Sequence, residues 1–104
     1  MEFEYDQVKN RENLAKHGID FVESQKIWHG AVLVVPSRHG GERRELAIGL
    51  LDGVFWTAVV TRRGAGKLRL ISVRRSRKDE KHAYHQAMEG ENDENEPQKS
   101  GREI

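Results

Sequence analysis

With 104 residues, the chain is long enough to bury the core of one small domain and too short for two. It has no cysteine, which excludes disulfide bonds, thiolate metal sites and cysteine nucleophiles. Its formal net charge of +1 hides an uneven distribution, because residues 62–81 contain nine Lys and Arg side chains and only two acidic ones. This basic block can bind a polyanion or simply face solvent.

The sequence contains no segment that fits a membrane helix or a signal peptide. The longest uninterrupted run of apolar side chains, residues 31–35, has five residues, whereas a membrane helix needs roughly 20. The first six residues are rich in acidic side chains, and no apolar stretch follows them. We therefore expect a cytoplasmic protein that does not associate with a membrane.

One short strand and two short helices are predicted at the N-terminus. Aromatic and acidic residues alternate over residues 2–5, which is the period-two pattern of a strand. Asp6 is a good cap for a helix over residues 7–17, and the glycine that follows would end this helix. Asp20 begins a capping-box pattern, which predicts a second helix that ends near Trp28.

Four strands are predicted to form an antiparallel meander, over residues 31–35, 43–51, 54–62 and 68–74. Pro36 is expected to stop the first of them, and an Asp-Gly pair predicts a tight hairpin between the second and third. In the fourth strand, simple alternation places Leu70 with Arg74 on one face and Val73 on the other.

A C-terminal helix is predicted after the meander. Ser76 can cap it, with Asp79 at the third helical position, and apolar residues at helical spacing continue to about Glu89. We expect the helices to cover one face of the sheet and leave the other open, an α+β fold. Residues 1–89 would form this single domain, and residues 90–104 have the composition of an acidic, disordered tail.

The residue types favour chemistry at a phosphodiester. No group of the five histidines has a recognised metal-binding spacing, although His82 and His85 would share a helix face, so we assign neither a metal nor a cofactor. Residues 64–67 lack the spacing of a phosphate loop and lead into a strand. RNA can be cleaved without metal when a base, an acid and fixed cations surround the phosphate.

Four segments resemble one known family. They are Phe3-Glu-Tyr-Asp6 with Lys9-Asn10 and Lys16-His17-Gly18; Gly41-Glu42-x-Arg44 with Ile48-Gly49; Thr61-x-Arg63-Gly64; and Arg69-Leu-Ile-Ser72-Val-Arg74-Arg75 with Glu80 and Tyr84 behind it. In this order and spacing they resemble the BrnT-type toxins of bacterial type II toxin-antitoxin systems.

The resemblance implies a fold similar to that of the RelE-like ribonucleases: an antiparallel four-stranded sheet with a short N-terminal strand, two short N-terminal helices and a C-terminal helix. It also implies a ribonuclease that cleaves RNA and forms a hetero-oligomer with an antitoxin carrying a DNA-binding, ribbon-helix-helix-like part. Carried over residue by residue, it predicts a catalytic set of Arg44, Arg63, Arg74, Glu80, His17 and Tyr84. The residues expected to bind substrate are Lys9, Lys67, Arg69 and Arg75.

The chemistry of these side chains suggests their roles. The arginines would hold and neutralise the scissile phosphate, Glu80 or His17 would accept the proton of the 2′-OH, and Tyr84 or an arginine would support the leaving oxygen. Purely structural roles for Glu80 and His17 remain alternatives. Two other functions also stay open: a nucleic-acid-binding module that uses the basic block without catalysis, and a protein-interaction module.

Overall fold

The computed structural model describes residues 1–39 and 42–95, and for residues 38, 39, 42 and 90–95 it describes the backbone alone. The glycine pair of the predicted loop at 40 and 41, and residues 96–104 of the predicted tail, lie outside the described residues. In chain order the elements are β1 (Glu2–Glu4), α1 (Gln7–His17), α2 (Phe21–Ser24), a 3-10 helix (Gln25–His29), β2 (Val32–His39), β3 (Glu42–Leu51), β4 (Val54–Arg62), β5 (Lys67–Arg75) and α3 (Lys78–Asn95).

The predicted caps of the first two helices are confirmed. The Asp6 carboxylate accepts the N–H of Lys9 at 3.0 Å, and Gly18 ends α1 with a φ of 79°. The Asp20 carboxylate accepts the N–H of Glu23 at 2.7 Å. These local hydrogen bonds fix where α1 and α2 begin.

The predicted second helix is divided into α2 and the 3-10 helix, which packs closely against β3. A Cβ atom on Gly49 of β3 would lie 2.7 Å from Cγ2 of Ile27 and 3.4 Å from the carbonyl oxygen of Ala31. Ile27 itself is completely buried. Glycine at position 49 therefore permits the contact between the 3-10 helix and the sheet.

The sheet has five strands in the order β1-β5-β4-β3-β2 and is mixed. The antiparallel meander of β2 to β5 is confirmed. The prediction of an antiparallel sheet is wrong for β1, which pairs in parallel with β5 so that Glu4 lies beside Arg69. Alternation along a strand shows which residues share a face but not which strand is its neighbour, so the sequence pattern left this pairing undetermined.

Pro36 does not end β2, which continues to His39. Pro36 is opposite Glu45 of β3, and β2 is an edge strand of the sheet. A proline, which has no N–H, is tolerated at an edge because only one side of the strand needs hydrogen-bonding partners.

A register shift changes the alternation predicted for β5. Ser72 pairs with Val59, but Leu70 pairs with the next residue, Val60, so Ile71 is an extra residue on the β5 side. Leu70 is consequently buried on the same face as Val73, contrary to the prediction. Arg74 lies on the opposite face, as expected, because it pairs with Thr57 while Val73 pairs with Ala58 of the core.

Helices lie on both faces of the sheet, which corrects the expectation that they cover only one. In the main core, Phe21 of α2 and Ile27 of the 3-10 helix pack against Ala58, Val60 and Val73 of the sheet. The helix α3 packs on the other face through Glu80 and Tyr84, against the part of β4 that holds Phe55 and Thr57. The remainder of that face stays open.

The α3 helix continues to Asn95, beyond the predicted end near residue 89. Glycine at position 90 is a weak stop signal here because polar and acidic residues on both sides of it are compatible with a helix. No helix in the described part of the chain is both long and apolar enough to span a membrane. The limit of the domain near residue 89 stays a prediction.

A buried asparagine joins α1 to the edge of β5. Asn13 is 5% exposed, and its amide nitrogen donates to the carbonyl oxygens of Ile19 at 2.8 Å and Val73 at 2.9 Å. Its amide oxygen accepts the N–H of Val73 at 3.0 Å. The Asn13 side chain thus pairs with the backbone of β5 as a neighbouring strand would, beyond the point where β1 ends.

We predict that Asn13→Ala lowers the free energy of unfolding by about 2–4 kcal/mol, because it leaves three buried backbone groups without partners. Urea denaturation measures this change. The control is Arg11→Ala, an exposed position on the same helix, which should change stability by less than about 0.5 kcal/mol. Equal effects of the two substitutions would contradict the role of Asn13.

Candidate active site

The carboxylate of Glu80 ties the first turn of α3 to the sheet. Its Oε1 accepts the N–H of Arg77 at 2.8 Å and the hydroxyl of Thr57 at 2.9 Å. Arg74 donates from both terminal nitrogens, Nη1 to Oε1 at 2.9 Å and Nη2 to Oε2 at 2.8 Å. The side chains of Arg74 and Glu80 are 20% and 9% exposed. This shielded, bidentate pair holds the guanidinium group as a fixed planar fork.

The start of α3 differs by one residue from the prediction of Ser76 as the cap and Asp79 as the third helical residue. The helix begins at Lys78, and Glu80 is the side chain that folds back onto the preceding backbone. The Ser76 hydroxyl instead lies 2.8 Å from that of Thr57. Two adjacent acidic residues fit the capping pattern, and contacts with the sheet select Glu80 over Asp79.

Hydrogen bonding keeps Glu80 ionised. Burial alone would raise the pKa of Glu80, but hydrogen bonds from Arg74, from the Arg77 N–H and from Thr57 lower that pKa to about 2. The same pair raises the pKa of Arg74 above its usual value. At neutral pH, Glu80 is therefore a very weak base, and its main effect is to position Arg74.

A cavity of about 270 Å³ opens beside this ion pair, on the sheet face that α3 leaves uncovered. It brings Arg44 of β3 together with Arg74 and Glu80, three residues of the predicted catalytic set. We call it the Arg74 cavity. Its lining residues are Ser37, Arg44, Leu46, Val59, Ser72, Arg74, Arg77 and Glu80.

A second cavity, of about 410 Å³, adjoins the first because Arg44 lines both. It contains Arg63, which was predicted to be catalytic, together with Lys9 and Arg69, which were predicted to bind substrate. Of the described residues that line it, six are cations and none is acidic. We call it the Arg69 cavity, and its lining residues are Lys9, Arg43, Arg44, Thr61, Arg62, Arg63, Arg69 and Ile71.

His17 lies in a third cavity, of about 210 Å³, at the C-terminal end of α1. Ser72 lines both this cavity and the Arg74 cavity, and Lys9 lines both this cavity and the Arg69 cavity. The three cavities are therefore adjacent. The lining residues of the third are Lys9, Glu12, Asn13, Lys16, His17, Ile71 and Ser72.

Two of the arginines that line the Arg69 cavity are held by Glu4. Oε2 of Glu4 accepts Nε–H of Arg63 and Nη1–H of Arg69, both at 3.0 Å. Nζ of Lys67 lies 3.9 Å from the other oxygen, Oε1. The hydrogen bond from Arg69 has the largest part in lowering the pKa of Glu4, to which Arg63 and Lys67 also contribute. The parallel pairing of β1 with β5 creates this cluster.

Three residues of the predicted site line none of the three cavities: Lys67, which lies near Glu4, and Tyr84 and Arg75. The Tyr84 side chain is buried, its hydroxyl donates to the carbonyl oxygen of Ala31 at 3.2 Å, and its ring contacts that of Phe55 edge-on with 5.2 Å between the centroids. The guanidinium group of Arg75 lies 5.3 Å from the ring centre of Trp56, on the opposite face of the sheet from Arg74. These contacts give Tyr84 and Arg75 packing roles.

Comparison with known proteins identifies the family. A sequence model described as "Ribonuclease toxin, BrnT, of type II toxin-antitoxin system" matches residues 5–80. The chain belongs to this BrnT family. The crystal structure of the Brucella abortus ribonuclease toxin BrnT is similar to it, with a TM-score of 0.61 and 27% sequence identity over 75% of this chain and 99% of that chain. No curated protein sequence matches this chain.

Membership of the BrnT family confirms the resemblance seen in the sequence motifs and implies a protein antitoxin as a partner. The matched region contains Lys9, His17, Arg44, Arg74 and Glu80 and ends before Tyr84. Each of those five residues lines at least one of the three adjacent cavities.

Sequence reasoning missed several residues that build this surface in the BrnT-family chain. Thr57 was regarded only as part of a strand, yet it hydrogen-bonds Glu80. Ser72 lies on the same face as Arg74, as strand alternation predicted, and it links two cavities. Arg62 pairs with Glu45 at 3.0 Å, and both line a further cavity of about 710 Å³ that also includes Arg44. The signal for Arg62 was its place in the basic block, and the signal for Ser72 was its alternation with Arg74 in β5. Thr57 had no such signal.

We predict that Glu80→Gln removes an acid-sensitive part of the stability. The folded state lowers the pKa of Glu80 from 4.5 to about 2. Its ionisation therefore stabilises the fold above pH 4.5, and this contribution is lost as the pH falls toward 2. Such a shift corresponds to about 3 kcal/mol.

Urea denaturation between pH 7 and pH 2 tests this prediction. The unfolding free energy of the wild type should fall by about 3 kcal/mol more than that of Glu80→Gln. Asp79→Asn removes the exposed neighbouring carboxylate and should retain the pH dependence of the wild type. Parallel curves for the wild type and Glu80→Gln would refute the assignment.

Proposed function

We propose that this BrnT-family protein is an endoribonuclease that cleaves RNA without a metal ion, through attack of a 2′-OH on the neighbouring phosphorus. The observation that carries the proposal is the Arg74 fork, which Glu80 holds beside a cavity that Arg44 also lines. Glu80 and the Arg75 carbonyl accept three of the five N–H groups of Arg74. The fixed guanidinium group thus offers its charge and the N–H groups that remain at Nε and Nη2 to phosphate oxygens without having to reorganise.

The reaction requires a balanced transfer of protons. The bond from O2′ to phosphorus forms as the bond from phosphorus to O5′ breaks, which leaves a 2′,3′-cyclic phosphate and a 5′-hydroxyl end. A base accepts the proton of the 2′-OH, and the leaving O5′ acquires one. Arg44 and Arg74 are placed to stabilise the negative charge that grows on the nonbridging oxygens of the phosphate.

His17 is the better candidate for the base. Glu80, with a pKa of about 2 and hydrogen bonds from three partners, has little tendency to accept a proton at neutral pH. An imidazole is suited to proton transfer in that range. The third cavity, which contains His17, adjoins the Arg74 cavity at Ser72. This arrangement supports access of both His17 and Arg74 to one substrate.

The partner in this proposal is an antitoxin with a DNA-binding, ribbon-helix-helix-like part, which forms a hetero-oligomer with the toxin. The dense cations of the Arg69 cavity support binding of an acidic segment of such a partner as well as binding of RNA. Expression of the chain alone should then arrest growth, and co-expression of the partner should restore it.

Substitution of Arg74 distinguishes an enzyme from a protein that only binds nucleic acid. Arg74→Ala should slow cleavage about a hundredfold to a thousandfold, because it removes a donor aimed at developing charge. Lys78→Ala and Lys81→Ala remove equal charge from exposed positions on α3 and should change the rate only a few-fold. Single-turnover cleavage of a short RNA, with EDTA present, measures these effects.

The same assay examines the rest of the proposal. Arg74→Lys should also be damaging, since an ammonium group cannot reproduce the bidentate fork. Equal effects of Arg74→Ala and Lys81→Ala would indicate binding without catalysis. Loss of wild-type cleavage in EDTA would reject the metal-free mechanism.

His17→Ala should lower the single-turnover rate about a hundredfold or more and remove the rise of rate with pH that deprotonation of a base produces. His82→Ala is the matched control, because His82 is exposed on α3 and lines none of the three cavities. A pH-rate profile measured for each variant tests the assignment. Persistence of the rising limb in His17→Ala would exclude His17 as the base.

A further inference from the structure

The Arg69 cavity has its own supporting carboxylate. Glu4 bridges Arg63 and Arg69 through one oxygen, Oε2, just as Glu80 supports Arg74 in the neighbouring cavity. Glu4 precedes the region that matches the BrnT family, which begins at residue 5. The parallel pairing of β1 with β5 places Glu4 beside Arg69.

The cluster around Glu4 keeps an excess of positive charge. Arg63, Arg69 and Lys67 surround the one carboxylate of Glu4, and Lys67 is also 3.9 Å from Glu2. Each of the two arginines uses a single N–H in its bond to Glu4, so most of its donors remain for another acceptor. Without Glu4, mutual repulsion would drive the two guanidinium groups apart.

The lining of the Arg69 cavity suits a phosphate rather than a base. Among the residues that the structure describes, it consists of six cations, Thr61 and Ile71, with no aromatic ring on which a base could stack. It contains neither Arg74 nor Glu80 nor His17, so it lacks the groups proposed for catalysis. Arg44 connects it directly with the cavity that contains Arg74.

We propose that the Arg69 cavity is a second phosphate site, which binds a phosphate of the RNA next to the one that is cleaved, and that Glu4 positions Arg63 and Arg69 in this site. The inference rests on the proposed ribonuclease function. It assigns Arg63 to substrate binding instead of to the chemical step. Glu4 is a positioning residue because it acts through the two arginines.

Dinucleotides with and without a terminal phosphate provide the test. The probes carry a 2′-O-methyl group that blocks cleavage, and they end in no phosphate, a 5′-phosphate or a 3′-phosphate. We expect wild-type protein to bind one of the two phosphorylated forms about tenfold more tightly than the unphosphorylated form, because the extra phosphate gains charge-assisted hydrogen bonds. Titrations followed by NMR measure the affinities and show that each variant is folded.

Variants identify the site and the role of Glu4. In Arg69→Ala the gain from the terminal phosphate should fall to about twofold or less, whereas Lys81→Ala, an exposed cation on α3, should keep the wild-type gain. Glu4→Gln should also lose most of the gain, although it makes the protein more positive. Glu23→Gln changes the net charge equally at a half-buried position on α2 and should keep the gain.

The outcomes separate this inference from the proposed function. No gain from either phosphate, an equal loss in Arg69→Ala and Lys81→Ala, or tighter binding of the phosphorylated probe by Glu4→Gln would overturn the second site or the role of Glu4. Failure of the wild type to cleave unmodified RNA would reject the ribonuclease function. These dinucleotide measurements do not depend on cleavage.

Discussion

The ion pair between Glu80 and Arg74 is the interaction on which the open face of the sheet depends. One carboxylate joins the start of α3, the middle of β4 and the end of β5. A buried charge is costly unless its partner and its remaining lone pairs are satisfied, and Glu80 meets that condition through Arg74, Thr57 and the Arg77 N–H. The helix is thereby held over one end of the sheet face, and the Arg74 cavity stays uncovered beside it.

This arrangement separates the positioning of charge from the transfer of protons, two roles between which the sequence alone could not choose for Glu80. A carboxylate that binds a guanidinium group bidentately becomes a poor base, because every hydrogen bond that orients the arginine also stabilises the ionised acid. Positioning of charge and transfer of protons then need different residues. In the proposed mechanism, His17 in the adjacent cavity, which shares Ser72, transfers the proton.

Local signals predicted much of the fold, whereas pairings between distant segments had no such signal. Asp6, Gly18 and Asp20 act through neighbours within a few residues, so their effects could be read from the sequence. The parallel pairing of β1 and the extra residue Ile71 depend on contacts across the fold. The family motifs named Arg44 and Arg74, which line one cavity, but the packing of Tyr84 from α3 onto Phe55 of β4 required the structure.

The use of carboxylates beside the arginines also explains how a nearly neutral chain can present so basic a surface. Closely spaced guanidinium groups repel one another, and the repulsion would spread them over many conformations in the absence of an acid. Glu80 and Glu4 offset that repulsion while using only part of the donor capacity of their partners. Each acid reduces the total charge but fixes the orientation of the guanidinium groups and of their remaining N–H donors. A phosphate accepts several hydrogen bonds in defined directions. It therefore benefits more from a few guanidinium groups in fixed orientations than from a larger number of mobile cations.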